Sequence, residues 1–111
     1  KAFQGVDIVV SVISGGAFAH QLNLVRAAKE AGVKRFVPSE YGVDFVDIDV
    51  NTFNLWKGKK AIREAVQSSG LGWTYFVTGL FYETSFTAWK GFDVLNHKTA
   101  VVGDGNTPWS L

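Results

Sequence analysis

The sequence predicts an α/β fold, a parallel sheet with flanking helices, and three features carry that reading. Apolar, β-branched runs of strand length alternate with stretches of helical period. The loops between them are short, and no repeat, linker or low-complexity tract interrupts the pattern. Strand, helix, strand, helix, strand with tight connections implies right-handed crossovers and a parallel sheet with helices on both faces.

Each element has its own signature. Asp7 to Ile13 (DIVVSVI) is a nearly continuous β-branched run, the pattern of a strand buried on both faces. Ser14-Gly15-Gly16 breaks it. Ala17 to Ala31 turns helical, with Phe18, Leu22 and Val25 at helical spacing and Gly32 as the C-cap. Lys34 to Val37 is a second strand, stopped by Pro38, which has no N–H to give a ladder. Phe45 to Asp49 is acidic and irregular, and a second helix is expected from about Thr52 to Ser69, ending at Gly70. Trp73 to Thr78 (WTYFVT) reads as a third strand, and Glu83 to Leu95 as helical or irregular. Lys98 to Val102 is a short strand closed by the turn Gly103-Asp104-Gly105-Asn106.

Composition narrows the function classes. The 111 residues are 47% hydrophobic and 19% charged, enough for one domain and one core. The net charge is +1 with both signs interspersed, so nothing argues for a direct nucleic-acid partner. There is no cysteine for a disulfide or thiolate site, compatible with a reducing cytoplasm. No apolar run approaches the roughly 20 residues of a membrane span, and no basic-then-apolar leader is present. A cytoplasmic protein without membrane contact is expected. The first residue is Lys1 and not methionine, which suggests a fragment.

The element order is half of a dinucleotide-binding fold. No G-x-G-x-x-G follows a strand anywhere in the chain, so the pyrophosphate cradle of such folds is absent from it. If residues 1–111 belong to a Rossmann-type enzyme, they are the central portion of its dinucleotide-binding domain. The N-terminal Gly-rich βα unit and the C-terminal substrate region would lie outside it.

In parallel α/β sheets ligands bind beyond the carboxyl ends of the strands, and three places there invite a site. Ser14-Gly15-Gly16 lets backbone approach a ligand at a helix start, or is only a tight turn. Ser39-Glu40-Tyr41-Gly42 offers a hydroxyl to a ribose or substrate and an aromatic ring to a flat cofactor. Equally, its serine and glutamate cap a loop over a packed ring. Lys59 is the sharpest candidate. Leu55, Lys59, Ile62 and Val66 share one helix face, and a lysine in an apolar stripe is costly to bury unless paired. Either its stem snorkels and its head reaches water, or it is a partly desolvated lysine suited to proton transfer. Lys57 and Lys60 fall outside the stripe. Phe81, Phe86, Trp89 and Phe92 follow the third strand, where a flat hydrophobic substrate could bind; otherwise they are core, or surface left bare by truncation. His20 and His97 have no ligand-spaced partners, so no metal is assigned.

The run from Val6 to Asp44 resembles the NmrA-like, isoflavone-reductase-like group of atypical short-chain dehydrogenases/reductases. So do Trp56-x-x-Lys59-x-x-Ile62-Arg63, Ser69-Gly70-Leu71-x-Trp73-Thr74-Tyr75, Gly79-Leu80-Phe81 and the Gly103 to Asn106 turn. The resemblance implies a Rossmann fold that binds NADP(H), with NAD(H) second. It places the catalytic lysine at Lys59, also a cofactor contact. It sets Ser14, Gly15 and Gly16 near the cofactor's ribose and phosphates, and Ser39, Glu40 and Tyr41 beside the nicotinamide. Thr78, Gly79, Leu80 and Phe81 would border cofactor and substrate. Plant reductases of this group usually carry phenylalanine at the Tyr41 position and serine-asparagine near Thr78-Gly79, so the chain looks closer to fungal members. The Tyr-x-x-x-Lys pair of ordinary short-chain dehydrogenases is absent, with Trp56-x-x-x-Lys60 the nearest approximation. The resemblance implies an NADP-dependent reductase of a small aromatic or hydrophobic substrate. Its alternatives are a non-catalytic NAD(P)-sensing regulator with a protein partner, or an inactive truncated fragment.

Overall fold

Alternating side chains on Ile8, Val9 and Val10 set up the first strand, and its neighbours follow in sequence order. The computed structural model describes residues 2–49, 51, 54–101 and 103–106. Its elements are β1 (Ile8–Val10), a 3₁₀ helix (Gly15–His20), α1 (Gln21–Glu30), β2 (Arg35–Val37), α2 (Asn54–Ser68) and β3 (Gly72–Trp73). Then come α3 (Tyr82–Ser85), a 3₁₀ turn (Ala88–Lys90), β4 (Phe92–Asp93) and β5 (Lys98–Thr99). The chain divides into two compact units, Lys1–Val77 and Thr78–Leu111.

In the first unit the strands are parallel in the order β1-β2-β3, with Val9 opposite Phe36 and Phe36 opposite Trp73. Val9 and Phe36 face a core completed by Val25 and Ala28 of α1, Val33, and Ile62 and Val66 of α2. Fully burying side chains of the Phe36 and Ile62 class stabilises by roughly 1.5–3 kcal/mol each. Among the described residues both helices, α1 and α2, pack on this one face, where cover of both faces was expected. Two right-handed crossovers that step the same way across a sheet leave both helices on the same side. The other face of β1 is accordingly open, with Ile8 55% and Val10 53% exposed, so Asp7–Ile13 is not doubly buried.

The element ends differ from expectation for local reasons. The helix expected from Ala17 begins as 3₁₀ and becomes α-helical only at Gln21. Gly32 (φ 76°) ends it as expected, donating to the Lys29 carbonyl at 3.1 Å. For α2, Thr52 lies outside the described residues. Its far end is tied off by Ser68 and Ser69, whose hydroxyls donate to the carbonyls of Glu64 and Val66 at 2.7 and 2.6 Å. The third strand is two residues long instead of six. Its ladder stops where Arg35 Nη1 takes over as donor to the Trp73 carbonyl and Thr74 Oγ1, both at 2.7 Å.

The second unit is built on an antiparallel hairpin with Phe92 opposite Thr99 and Asp93 opposite Lys98. Its turn is held by Asn96, which donates to both carboxylate oxygens of Asp93 at 3.2 and 2.8 Å. The strand expected to reach Val102 pairs only at Lys98–Thr99, and Val102 lies outside the described residues. At the Gly103 turn the Asn106 N–H donates to Asp104 Oδ1 at 3.0 Å. Among the described residues no helix is long and apolar enough to cross a membrane. None of their His, Asp and Glu side chains cluster as a metal site.

Candidate functional site

Beyond β2 the chain turns inward. Pro38 ends the ladder, and the Ser39 N–H donates to Gln21 Oε1 at 2.7 Å, a contact buried at the start of α1. The Glu40 N–H turns back to the Pro38 carbonyl at 2.9 Å. Tyr41 then takes a positive φ of 29°, rare for a residue with a side chain. Its ring stacks on Phe76, centroids 6.3 Å apart and planes 7° apart. This bend drives the Glu40 side chain into the protein, where it is only 2% exposed.

A buried carboxylate needs partners, and α2 supplies two. The Lys59 ammonium donates to the Glu40 main-chain carbonyl and lies 3.5 Å from Glu40 Oε2. One turn on, Arg63 forks onto the same carboxylate, Nε to Oε1 at 3.0 Å and Nη2 to Oε2 at 3.1 Å. Arg63 Nη1 reaches Asp44 Oδ1 at 3.3 Å, and the guanidinium lies 4.0 Å from the Phe45 ring centre and 4.9 Å from that of Tyr75. Lys59 does not snorkel. Its side chain is 8% exposed, with its head turned in against Glu40.

Electrostatics follow from burial and pairing. Burial acts to lower the Arg63 pKa, but the hydrogen bond and charge of Glu40, then those of Asp44, outweigh it and hold Arg63 above the usual arginine value. Burial pushes the Tyr75 phenol up. The Arg63 charge opposes that, the Glu40 charge adds to it, and a hydrogen bond with Gln67 opposes it again. Lys59, Arg63, Glu40 and Asp44 form a charge-balanced cluster. An ammonium has three N–H donors. One bonds the Glu40 main-chain carbonyl and Glu40 Oε2 stands 3.5 Å away, which leaves N–H groups that can serve an oxygen of a bound molecule.

Of the residues singled out by sequence, Glu40 and Lys59 meet directly, and Ser39 and Tyr41 flank them. Ser14 is exposed and makes no capping hydrogen bond. At Gly16 an added Cβ would meet nothing within 4 Å, and its φ is not positive, so neither packing nor backbone conformation requires glycine there. Thr78, Gly79 (φ 70°), Leu80 and Phe81 belong to the second unit, where the Phe81 carbonyl receives Thr84 and Ser85 at the start of α3. Sequence reasoning missed the parts played by Arg63, Asp44, Phe45 and Tyr75. The spacing Lys59, Ile62, Arg63, Val66 was the available signal, since i, i+3, i+4, i+7 describes the inward face better than a stripe through Leu55, which is 43% exposed. Two buried polar atoms, Ser11 Oγ and Gln21 Nε2, have no hydrogen-bond partner among the described residues.

The chain matches the model of the NmrA-like family over residues 1–110. It is 36% identical to the oxidoreductase aprR of Aspergillus flavus, over 99% of this chain and 39% of that protein. It is 40% identical to the isoflavone reductase homolog IRL of Zea mays, over 96% of this chain and 37% of that protein. Among solved structures, AtPrR2 with NADP+ and (+)pinoresinol superposes with a TM-score of 0.69 at 37% identity, covering 77% of this chain and 30% of that one. The leucoanthocyanidin reductase of Vitis vinifera in binary complex with NADPH gives 0.52 at 38% identity, covering 63% and 24%. The chain thus spans less than two fifths of the length of these curated relatives.

Proposed function

The chain belongs to the NmrA-like family of isoflavone-reductase-like oxidoreductases, and on that footing we propose that residues 1–111 form part of the NAD(P)-binding domain of a reductase. We assign it NADP(H) ahead of NAD(H), a small aromatic or hydrophobic substrate, and Lys59 as catalytic residue. NADP+ and NADPH in the neighbouring structures support the cofactor, and pinoresinol in one of them supports the substrate class. The chain's own residues fit a dinucleotide. Ser39 and Lys59 bring a hydroxyl and an ammonium to the turn after β2, and Gly16, near the start of the 3₁₀ helix, has open space around its backbone. When bound, a reduced nicotinamide supplies the hydride.

The observation that carries the reading is the Lys59 ammonium, hydrogen-bonded to the Glu40 carbonyl and 3.5 Å from the Glu40 carboxylate at the turn after β2. A fixed cation there stabilises negative charge that develops on a substrate oxygen, and it donates the proton that oxygen needs. The Glu40 carbonyl orients the ammonium, and the ring of the next residue, Tyr41, stacks on Phe76. Lys59→Met in the full-length protein keeps the stem and removes the cation. NADPH oxidation with pinoresinol or other small aromatic acceptors should fall by about 100-fold or more. NADPH affinity by calorimetry should change little. Unchanged turnover would remove Lys59 from the chemistry.

A second reading is a non-catalytic NAD(P) sensor, favoured by the inward engagement of Lys59 and by the missing Tyr-x-x-x-Lys tyrosine. Calorimetry with NAD, NADH, NADP and NADPH separates the two. A sensor distinguishes oxidation states and turns over none of the acceptors.

A further inference from the structure

We propose that Arg63 is the positioning residue of Lys59, holding the Glu40 carboxylate so that the ammonium stays anchored on the Glu40 main chain with an N–H to spare. The proposal rests on the reading of Lys59 as the working amine. Its basis is an asymmetry within one cluster. Arg63 makes two close contacts with the carboxylate, one to each oxygen, at 3.0 and 3.1 Å, whereas Lys59 stands 3.5 Å from Oε2 and bonds the carbonyl instead. Bidentate guanidinium–carboxylate pairs are strong and geometrically specific. Glu40 is therefore committed to Arg63, and Lys59 is only its neighbour.

Arg63 is itself fixed. Phe45 and Tyr75 lie against the guanidinium, Asp44 holds Nη1, and the Tyr75 hydroxyl donates to the Arg63 carbonyl at 3.4 Å. A planar, always-charged group braced by rings is suited to clamp a carboxylate without wandering. Without it, a carboxylate that is 2% exposed would have one cation left within reach. It would close on the Lys59 ammonium and take up N–H groups that are otherwise spare. Lysine at position 63 would keep the charge but not the fork.

The test reads the Lys59 amine directly. Acetic anhydride at fixed pH labels accessible neutral amines, and mass spectrometry gives the rate at Lys59 relative to Lys57, an exposed lysine on the same helix. In the full-length protein, R63Q should lower that ratio about tenfold, and R63K about threefold, in line with a lost fork and a retained charge. R63K keeps the proposal testable if R63Q does not fold. An unchanged ratio in a folded variant would overturn it and leave Arg63 as a fold staple, which lowers the melting temperature but not amine reactivity. K59M tests the catalytic role separately, because its turnover speaks to Lys59 whether or not the labelling ratio moves in the Arg63 variants.

Discussion

Neutralising Glu40 without changing its shape should unsettle the first unit far more than removing Lys59. In Glu40→Gln, two cations with side chains 8% and 12% exposed lose their shared buried counter-charge. The remaining acid, Asp44, is 54% exposed and compensates little. Breaking a buried pair from one side costs about 3–5 kcal/mol, and a unit of this size has only about 4–12 kcal/mol in all. With a urea slope of about 1 kcal/mol/M, the unfolding midpoint should drop by about 3–5 M, or the variant should not fold. Lys59→Met leaves Glu40 forked on Arg63 and should cost about 1 kcal/mol. Urea unfolding followed by circular dichroism measures both. A loss below about 1 kcal/mol for Glu40→Gln, no greater than for Lys59→Met, would refute a cluster organised around Glu40.

Gly42 borders the same amine: an added Cβ would sit 3.3 Å from Lys59 Nζ and 3.4 Å from the Glu40 carbonyl oxygen. Gly42→Ala should therefore displace the ammonium and lower turnover about tenfold with NADPH affinity unchanged, as steady-state kinetics and calorimetry would register. Tyr75 gives a pH signature. Its phenol is held above the ordinary tyrosine value of 10.0, so the stability linked to it is present below that pH and is lost as pH rises beyond it. Denaturation across the alkaline range should show this loss in the native protein and less of it in Tyr75→Phe.

Local pattern made much of this legible, and the rest depended on distance along the chain. The strand–helix order, the Gly32 stop and the place of Lys59 in the apolar stripe follow from periodicity and capping, whereas spacing left open whether its head turned inward or reached water. One-sided helix cover did not, because it depends on the order of strands in the sheet, and a β-branched run looks the same with one face covered or two. The third strand looked long because Trp73 to Thr78 is rich in strand formers. The Arg35 side chain claims the Trp73 carbonyl from 38 residues away. The pairing of Glu40 with Lys59 and Arg63 likewise spans 19 and 23 residues. An unusual lysine was visible in the sequence. The carboxylate that holds it required the fold.

The most direct measurement is a structure of the full-length protein with NADPH and a bound aromatic acceptor, read at Lys59 Nζ. Expected is an ammonium still on the Glu40 carbonyl, with a further contact of about 3 Å to a cofactor or substrate oxygen. An ammonium bonded only within the protein, with no ligand atom in reach, would contradict the assignment of Lys59 to the chemistry.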